Sequence, residues 1–138
     1  MGIKLDANTL RNMKLFGDIT RVPCSDCFAV NGTLIFITSP GNAGKAIGPQ
    51  GKNIKILRSK TNKNIKIIEQ AADCCGLITS YLYPAKPKKC EIVDNVAQIE
   101  FNSSRERRYL LDNQLKGLKD LKAVVSRYYP DIKDIRIL

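Results

Sequence analysis

Gly48-Pro49-Gln50-Gly51 is a glycine-bracketed turn with Ile47 before it and Lys52-Asn53-Ile54 after it. Between Asp26 and Glu69 the chain carries no acidic residue, while Lys45, Lys52, Lys55, Arg58, Lys60, Lys63 and Lys66 all fall in that interval. Glycines let a backbone come close to a ligand. A turn that opens a helix adds N–H groups and the positive end of the helix dipole, and the ammonium groups attract phosphate. The chemistry this stretch suits is the grip of a nucleic-acid backbone.

Other chemistry is poorly served. The chain has no His, which removes the commonest general base and the commonest metal ligand. A nucleotide-binding Walker loop would need a glycine where Ala46 stands and a hydroxyl where Asn53 stands. No nucleophile–base set stands out, and the reading is a protein that is not an enzyme and takes no cofactor. Cys24, Cys27, Cys74, Cys75 and Cys90 are odd in number and carry one Cys-x-x-Cys pair without a second, so reduced thiols are expected rather than a disulfide framework or a metal centre.

Hydrophobic residues make up 43% of the 138, enough for packed cores, and the net charge is +10. The charge is uneven: residues 1–70 hold eleven basic and four acidic side chains, net +7, against twelve and nine, net +3, in residues 71–138. The first half is the expected footprint for a polyanion. No apolar run reaches the ~20 residues that cross a bilayer, and Met1 to Asp6 lack the apolar core of a signal peptide, so the expected location is the cytoplasm.

The elements that must hold the loop follow from periodicity and turn residues. A helix is expected over 6–16, capped by Asp6 and stopped by Gly17. Residues 19–30 read as extended, interrupted by Pro23; Asn31-Gly32 is a hairpin turn and Thr33–Thr38 a buried strand. A short helix over 43–47 enters the turn, and a second over 52–61 leaves it, with Lys52, Lys55 and Arg58 on one side. Residues 65–68 form a strand.

The order then recurs: a helix over 73–83 ended by Pro84-Ala85-Lys86-Pro87, strands over 89–93 and 96–101 joined at Asp94-Asn95, helices over 104–112 and 114–128, and a strand over 132–138. An ungapped shift of 64 places Ile35 on Ile99, Lys52 on Lys116, Ile54 on Leu118, Lys55 on Lys119 and Leu57 on Leu121. Two copies of one module, residues 1–70 and 71–138, are expected. The same shift sets Gly48-Pro49-Gln50-Gly51 against Asp112-Asn113-Gln114-Leu115, a loop without glycines and with a carboxylate. Arg105, Arg107 and Arg108 form a second basic cluster, readable equally as a solvated helix face.

Lys45-Ala46-Ile47-Gly48-Pro49-Gln50-Gly51-Lys52-Asn53-Ile54 resembles the core of a KH domain, usually Ile-Gly-x-x-Gly-x-x-Ile. Tandem KH modules filling a short chain are similar to the archaeal NusA-like transcription factors, as are the stretch Leu5 to Thr20 and the approach Pro40 to Lys45. The resemblance implies an α+β fold of two tandem prokaryotic-type (type II) KH modules, each a small mixed three-stranded sheet packed with about three helices. It implies single-stranded RNA binding and a role in transcription elongation, pausing, termination or antitermination; RNA polymerase is a candidate partner, and a monomer is expected. Alternatives are a KH-type ribosome-assembly protein, or an adaptor docking polymerase without strong RNA binding. The residues assigned to RNA are Lys45, Ile47, Gly48, Pro49, Gln50, Gly51, Lys52, Asn53, Lys55 and Arg58. Arg105, Arg108, Lys116 and Lys119 are candidates for a secondary contact. Pro49 and Gln50 stand where the family commonly has a basic residue.

Overall fold

The computed structural model describes residues 6–83 and 85–138, apart from the Asn113 side chain. The expectations for Met1–Leu5 and for Pro84 lie outside the described residues. Two compact units divide between Gln70 and Ala71. Each is an α+β module built on its own three-stranded mixed sheet, the architecture of two tandem KH modules.

In the first unit α1 (Ala7–Thr20) precedes β1 (Cys24–Val30) and β2 (Thr33–Thr38). The pair α2 (Ala43–Ile47) and α3 (Lys52–Thr61) then leads to β3 (Asn64–Glu69). β2 is central, antiparallel to β1 and parallel to β3, with Phe36 in register with Cys27 on one side and Ile67 on the other. The hairpin turns through Asn31 (φ 46°) and Gly32 (φ 84°), the two positive φ angles of the turn whose twist matches its strands.

Asp6 caps α1 as expected, accepting from the Thr9 N–H at 2.8 Å. The helix does not stop at Gly17. It runs on to Thr20 because its last turn is anchored: Phe16 and Thr20 are buried, and the Thr20 hydroxyl donates to the Phe16 carbonyl at 2.8 Å. The left-handed terminating residue is Arg21 instead, whose N–H closes back on the Gly17 carbonyl. The helix packs its buried face on β1 and β2 around Phe16, Val22, Cys27, Leu34, Phe36, Ala46, Leu57 and Ile67. The rings of Phe16 and Phe36 stack at 4.5 Å between centroids. Such a pair contributes about 0.5–1.5 kcal/mol beyond the area it buries. Ile54 and Ile65 pack against this cluster and Ile67 belongs to it, so these isoleucines serve the core.

The second unit repeats the order with α4 (Cys74–Leu82), β4 (Lys89–Val93), β5 (Val96–Glu100), α5 (Ser104–Tyr128) and β6 (Asp134–Ile137). α4 buries Cys74, Leu77, Ile78, Tyr81 and Leu82, a stripe at helical spacing. β5 is central, antiparallel to β4 and parallel to β6. The two helices expected over 104–112 and 114–128 form one hydrogen-bonded stretch whose backbone changes hand at Gln114 (φ 59°) and Leu115 (φ 65°).

The shift between modules is not uniform. Ile99 is in register with Cys90 and Ile137, so its counterpart is Phe36, flanked by Cys27 and Ile67, not Ile35. The hairpins therefore match at 63, Asn31-Gly32 against Asp94-Asn95. Beyond them the shift is 64: the left-handed pair Gln50 and Gly51 matches Gln114 and Leu115. One residue is gained between strand and loop, which an ungapped comparison cannot register. Leu57 and Leu121, both fully buried, agree with the later shift.

Two glycines should respond oppositely to alanine. Gly17 lies inside α1 with nothing within 4 Å of the place a Cβ would take, so Gly17→Ala should raise unfolding stability by about 0.5–1 kcal/mol. At Gly117 a Cβ would stand 2.6 Å from the Tyr109 carbonyl oxygen, so Gly117→Ala should lower it by about 1–3 kcal/mol. Urea denaturation of the two variants checks both signs.

Candidate nucleic-acid interface

The loop between α2 and α3 is a tight, internally bonded reversal. The Gly48 N–H closes on the Gly44 carbonyl at 3.1 Å and ends α2. Gly48 then takes φ 78°, ψ 168°, a region reached in practice by glycine alone. Pro49 starts a single 3₁₀ turn, Gln50 sits at φ 54°, ψ 28°, and Gly51 follows at φ 71°, ψ 23°. The Gly51 N–H donates to the Gly48 carbonyl at 3.2 Å, and the Lys52 N–H donates to the Pro49 carbonyl. These amides are thus spent on holding the turn.

Asn53 has a structural task that its sequence position alone leaves open. Its side-chain amide donates to the Ala46 carbonyl at 3.0 Å, tying the first turn of α3 to the end of α2. A Cβ at Gly48 would come within 2.9 Å of that amide nitrogen. Gly51 is different, with open space where a Cβ would go. The first glycine is therefore fixed by backbone angle and by crowding, the second by angle alone.

The charged residues stand around this turn. Lys45 is exposed on the last turn of α2; Lys52, Lys55 and Arg58 are exposed along α3, whose first turn has no acidic residue and no side-chain cap. Pro49 and Gln50 are exposed at the tip, whereas Ile47 is half-buried and packs against the first unit's core. Glu69, the acid that ends the acid-free interval, accepts from the Ala43 N–H at 3.2 Å. Its carboxylate sits at the start of α2, at the opposite end of that helix from Gly48. That pairing of strand end with helix start carries no local sequence signal.

The second unit places its candidates differently. Arg105, Arg108 and Lys119 are exposed on α5, but Lys116 pairs with Asp120 at 3.1 Å. Asp112 and Leu115 are exposed where the first unit has its glycines. Gly117, at the place of Asn53, lets the backbone approach Tyr109 directly, so no side-chain tie is needed across this loop. Tyr81 is buried, while Tyr83 and Tyr109 are exposed. Among the described residues no group of three or more Cys, Asp or Glu side chains is arranged to hold a metal ion, and no helix is long and apolar enough to cross a membrane.

No family model matches the chain. Curated relatives nevertheless align along most of it. It is 27% identical over 130 residues to the probable transcription termination protein NusA of Methanocaldococcus jannaschii, covering 91% of this chain and 70% of that one. It is 25% identical over 101 residues to the protein of the same name from Halococcus morrhuae, covering 73% of each. The protein of that name from Halobacterium salinarum aligns over 99% of each chain at 19% identity. Among solved structures, the crystal structure of APE1850 superposes with a TM-score of 0.79 at 27% identity, covering 97% of this chain and all of that one.

The loop geometry predicts that Gly48→Ala strains a backbone angle and displaces the Asn53 amide, costing about 1–3 kcal/mol in folding stability. Gly51→Ala, with free space around it but a left-handed backbone, should cost only the conformational penalty, about 1 kcal/mol. Thermal melts of the pair separate the two roles; equal losses would contradict them.

Proposed function

We propose that this archaeal NusA-like chain binds single-stranded RNA through the α2–α3 loop of its first KH module, and that it acts in transcription elongation, pausing or termination. The phosphate backbone lies against Gly48 and Gly51, where the absence of a side chain allows close approach. Lys45, Lys52, Lys55 and Arg58 supply the attraction, strengthened by the uncapped, acid-free start of α3. Ile47 borders the groove as an apolar contact for a base, and the exposed edge of Gln50 is available for a polar one.

The observation that carries this reading is the difference between the two loops. Both reverse through a left-handed pair, Gln50-Gly51 and Gln114-Leu115, so the module can make its turn without glycine. Gly48 goes further into a glycine-only conformation, while its counterpart Asp112 has no positive φ. The first loop therefore keeps a feature the turn itself does not require, and keeps it among cations. The relatives' shared name supports a role in transcription, which favours this reading over ribosome assembly. The second module, with Asp112 at its loop and Lys116 engaged by Asp120, adds at most a nonspecific grip through Arg105, Arg108 and Lys119.

Fluorescence anisotropy with a short unstructured RNA, titrated with salt, tests the proposal against a duplex DNA control. Gly51→Asp has room for its side chain and should stay folded, yet raise Kd by about tenfold or more, since it sets a carboxylate where phosphate rests. Lys52→Ala and Lys55→Ala should each reduce the slope of log K against log salt by about 0.7. A folded Gly51→Asp protein that binds as tightly as the wild type would remove the loop from the interface.

A further inference from the structure

Two cysteines of the second unit meet. The thiol of Cys90 on β4 donates to the sulfur of Cys75 on α4 at 2.7 Å, although the two are separated by fifteen positions and by the 83–88 connection. Both are partly exposed, unlike Cys27 and Cys74, which are buried. Van der Waals contact between sulfurs lies well beyond this separation, and thiols so placed need little movement to bond. In the first unit the counterpart of Cys90 is Cys27, which lies in the apolar cluster with Phe16 and Phe36. The arrangement is thus particular to the second unit.

We propose that Cys75 and Cys90 form a reversible intramolecular disulfide, a modification site that ties α4 to the edge strand β4. Cys75 is the attacking sulfur, because it accepts the Cys90 S–H, which leaves Cys90 as the donor and the resolving thiol. The co-reactant is a small-molecule disulfide such as glutathione disulfide. The Cys75 thiolate bonds to one sulfur of that disulfide and expels the other half as a thiol. The Cys90 thiolate then bonds to the Cys75 sulfur and expels the second half. The two protein thiols are oxidised, the small disulfide is reduced to two thiols, and the two cysteine protons end on those leaving groups.

The surroundings hold the Cys90 thiol in its protonated form. Burial pushes the Cys90 thiol up, with the hydrogen bond to Cys75 adding to the effect, and burial likewise pushes neighbouring Cys74 up to about 11. Asp73 adds negative charge beside them. Closure should therefore be slow near neutrality and quicken as pH rises, the behaviour of a staple set by prevailing thiol conditions rather than of a fast peroxide sensor. Nothing in this chemistry depends on whether the first loop binds RNA.

The test is incubation of the full chain with glutathione disulfide in mildly alkaline buffer, followed by mass spectrometry and a non-reducing peptide map. The expected product is a monomer lighter by two hydrogens, with the peptides of Cys75 and Cys90 linked, and reopened by dithiothreitol. Cys74→Ser should close normally, whereas Cys90→Ser should trap glutathione on Cys75. The oxidised wild type should melt on the order of 10 °C above the reduced form, because a loop of this size is closed in the unfolded chain. A link from Cys74 to Cys90, stable glutathione adducts on the wild type, intermolecular dimers or a chain that stays fully reduced would each overturn the proposal.

Discussion

Parallel pairing of the second and third strands in each module is the constraint from which the rest follows. β2 and β3 run the same way, so the chain leaving Thr38 must travel back along the sheet before Asn64 can enter its place. Six residues of β2 span about 20 Å at strand rise, and the ten residues of α3 cover about 15 Å at helical rise. The return helix thus recovers about three-quarters of that span, and the connections supply the rest. The crossover has to reverse once, between α2 and α3, and that reversal is the loop with the glycines. The same demand in the second unit is met within α5, which changes hand at Gln114 and Leu115 and then buries Leu118, Leu121, Val124 and Val125. The candidate interface is therefore the corner of a crossover, held from below by Ala46, Leu57 and Phe36.

Much of this is legible in the residues because it is written in local chemistry. Asn31-Gly32, Asp94-Asn95, the cap at Asp6 and the glycines of the loop each act on their immediate neighbours, and each appears where the residue types place it. The exceptions share a cause. Gly17 has the residue type of a helix end, but the buried Phe16 and Thr20 extend the helix past it, and burial against a sheet is invisible to a turn rule. Ile35 matches Ile99 as an apolar residue in a strand, whereas cross-strand register assigns that place to Phe36. The Asn53 amide, the Glu69 carboxylate at Ala43 and the meeting of Cys75 with Cys90 all depend on chain segments brought together by the fold.

Electrostatics divide the two modules more sharply than their net charges suggest. In the second, cations are engaged by acids close at hand: Lys89 with Glu91, Lys116 with Asp120, and Lys122 with Asp134 at 2.8 Å. The last of these holds the Asp134 carboxyl below its usual range through the Lys122 hydrogen bond. The exposed pairs, Lys89–Glu91 and Lys122–Asp134, contribute about 0–1 kcal/mol each to folding, but they cancel charge at the surface. Along α3 there is no acid to do the same. Lys14 pairs with Asp18 on α1 of the first unit, but a polyanion approaching α3 meets cations with no acid on their own helix, and one approaching the second unit meets a mosaic.

Leu115 holds a left-handed backbone and is 42% exposed. The conformational cost to a residue with a Cβ is about 1 kcal/mol, and its partial burial returns about the same. Exchange between leucine and glycine at that position would be close to neutral for folding. Stability alone therefore does not hold the residue in place, and sequence drift can open or close the second loop without passing through an unfolded intermediate. A duplicated module of this design carries a built-in freedom to diverge: one copy keeps its corner bare under whatever demand acts on it, while the other is at liberty to fill it.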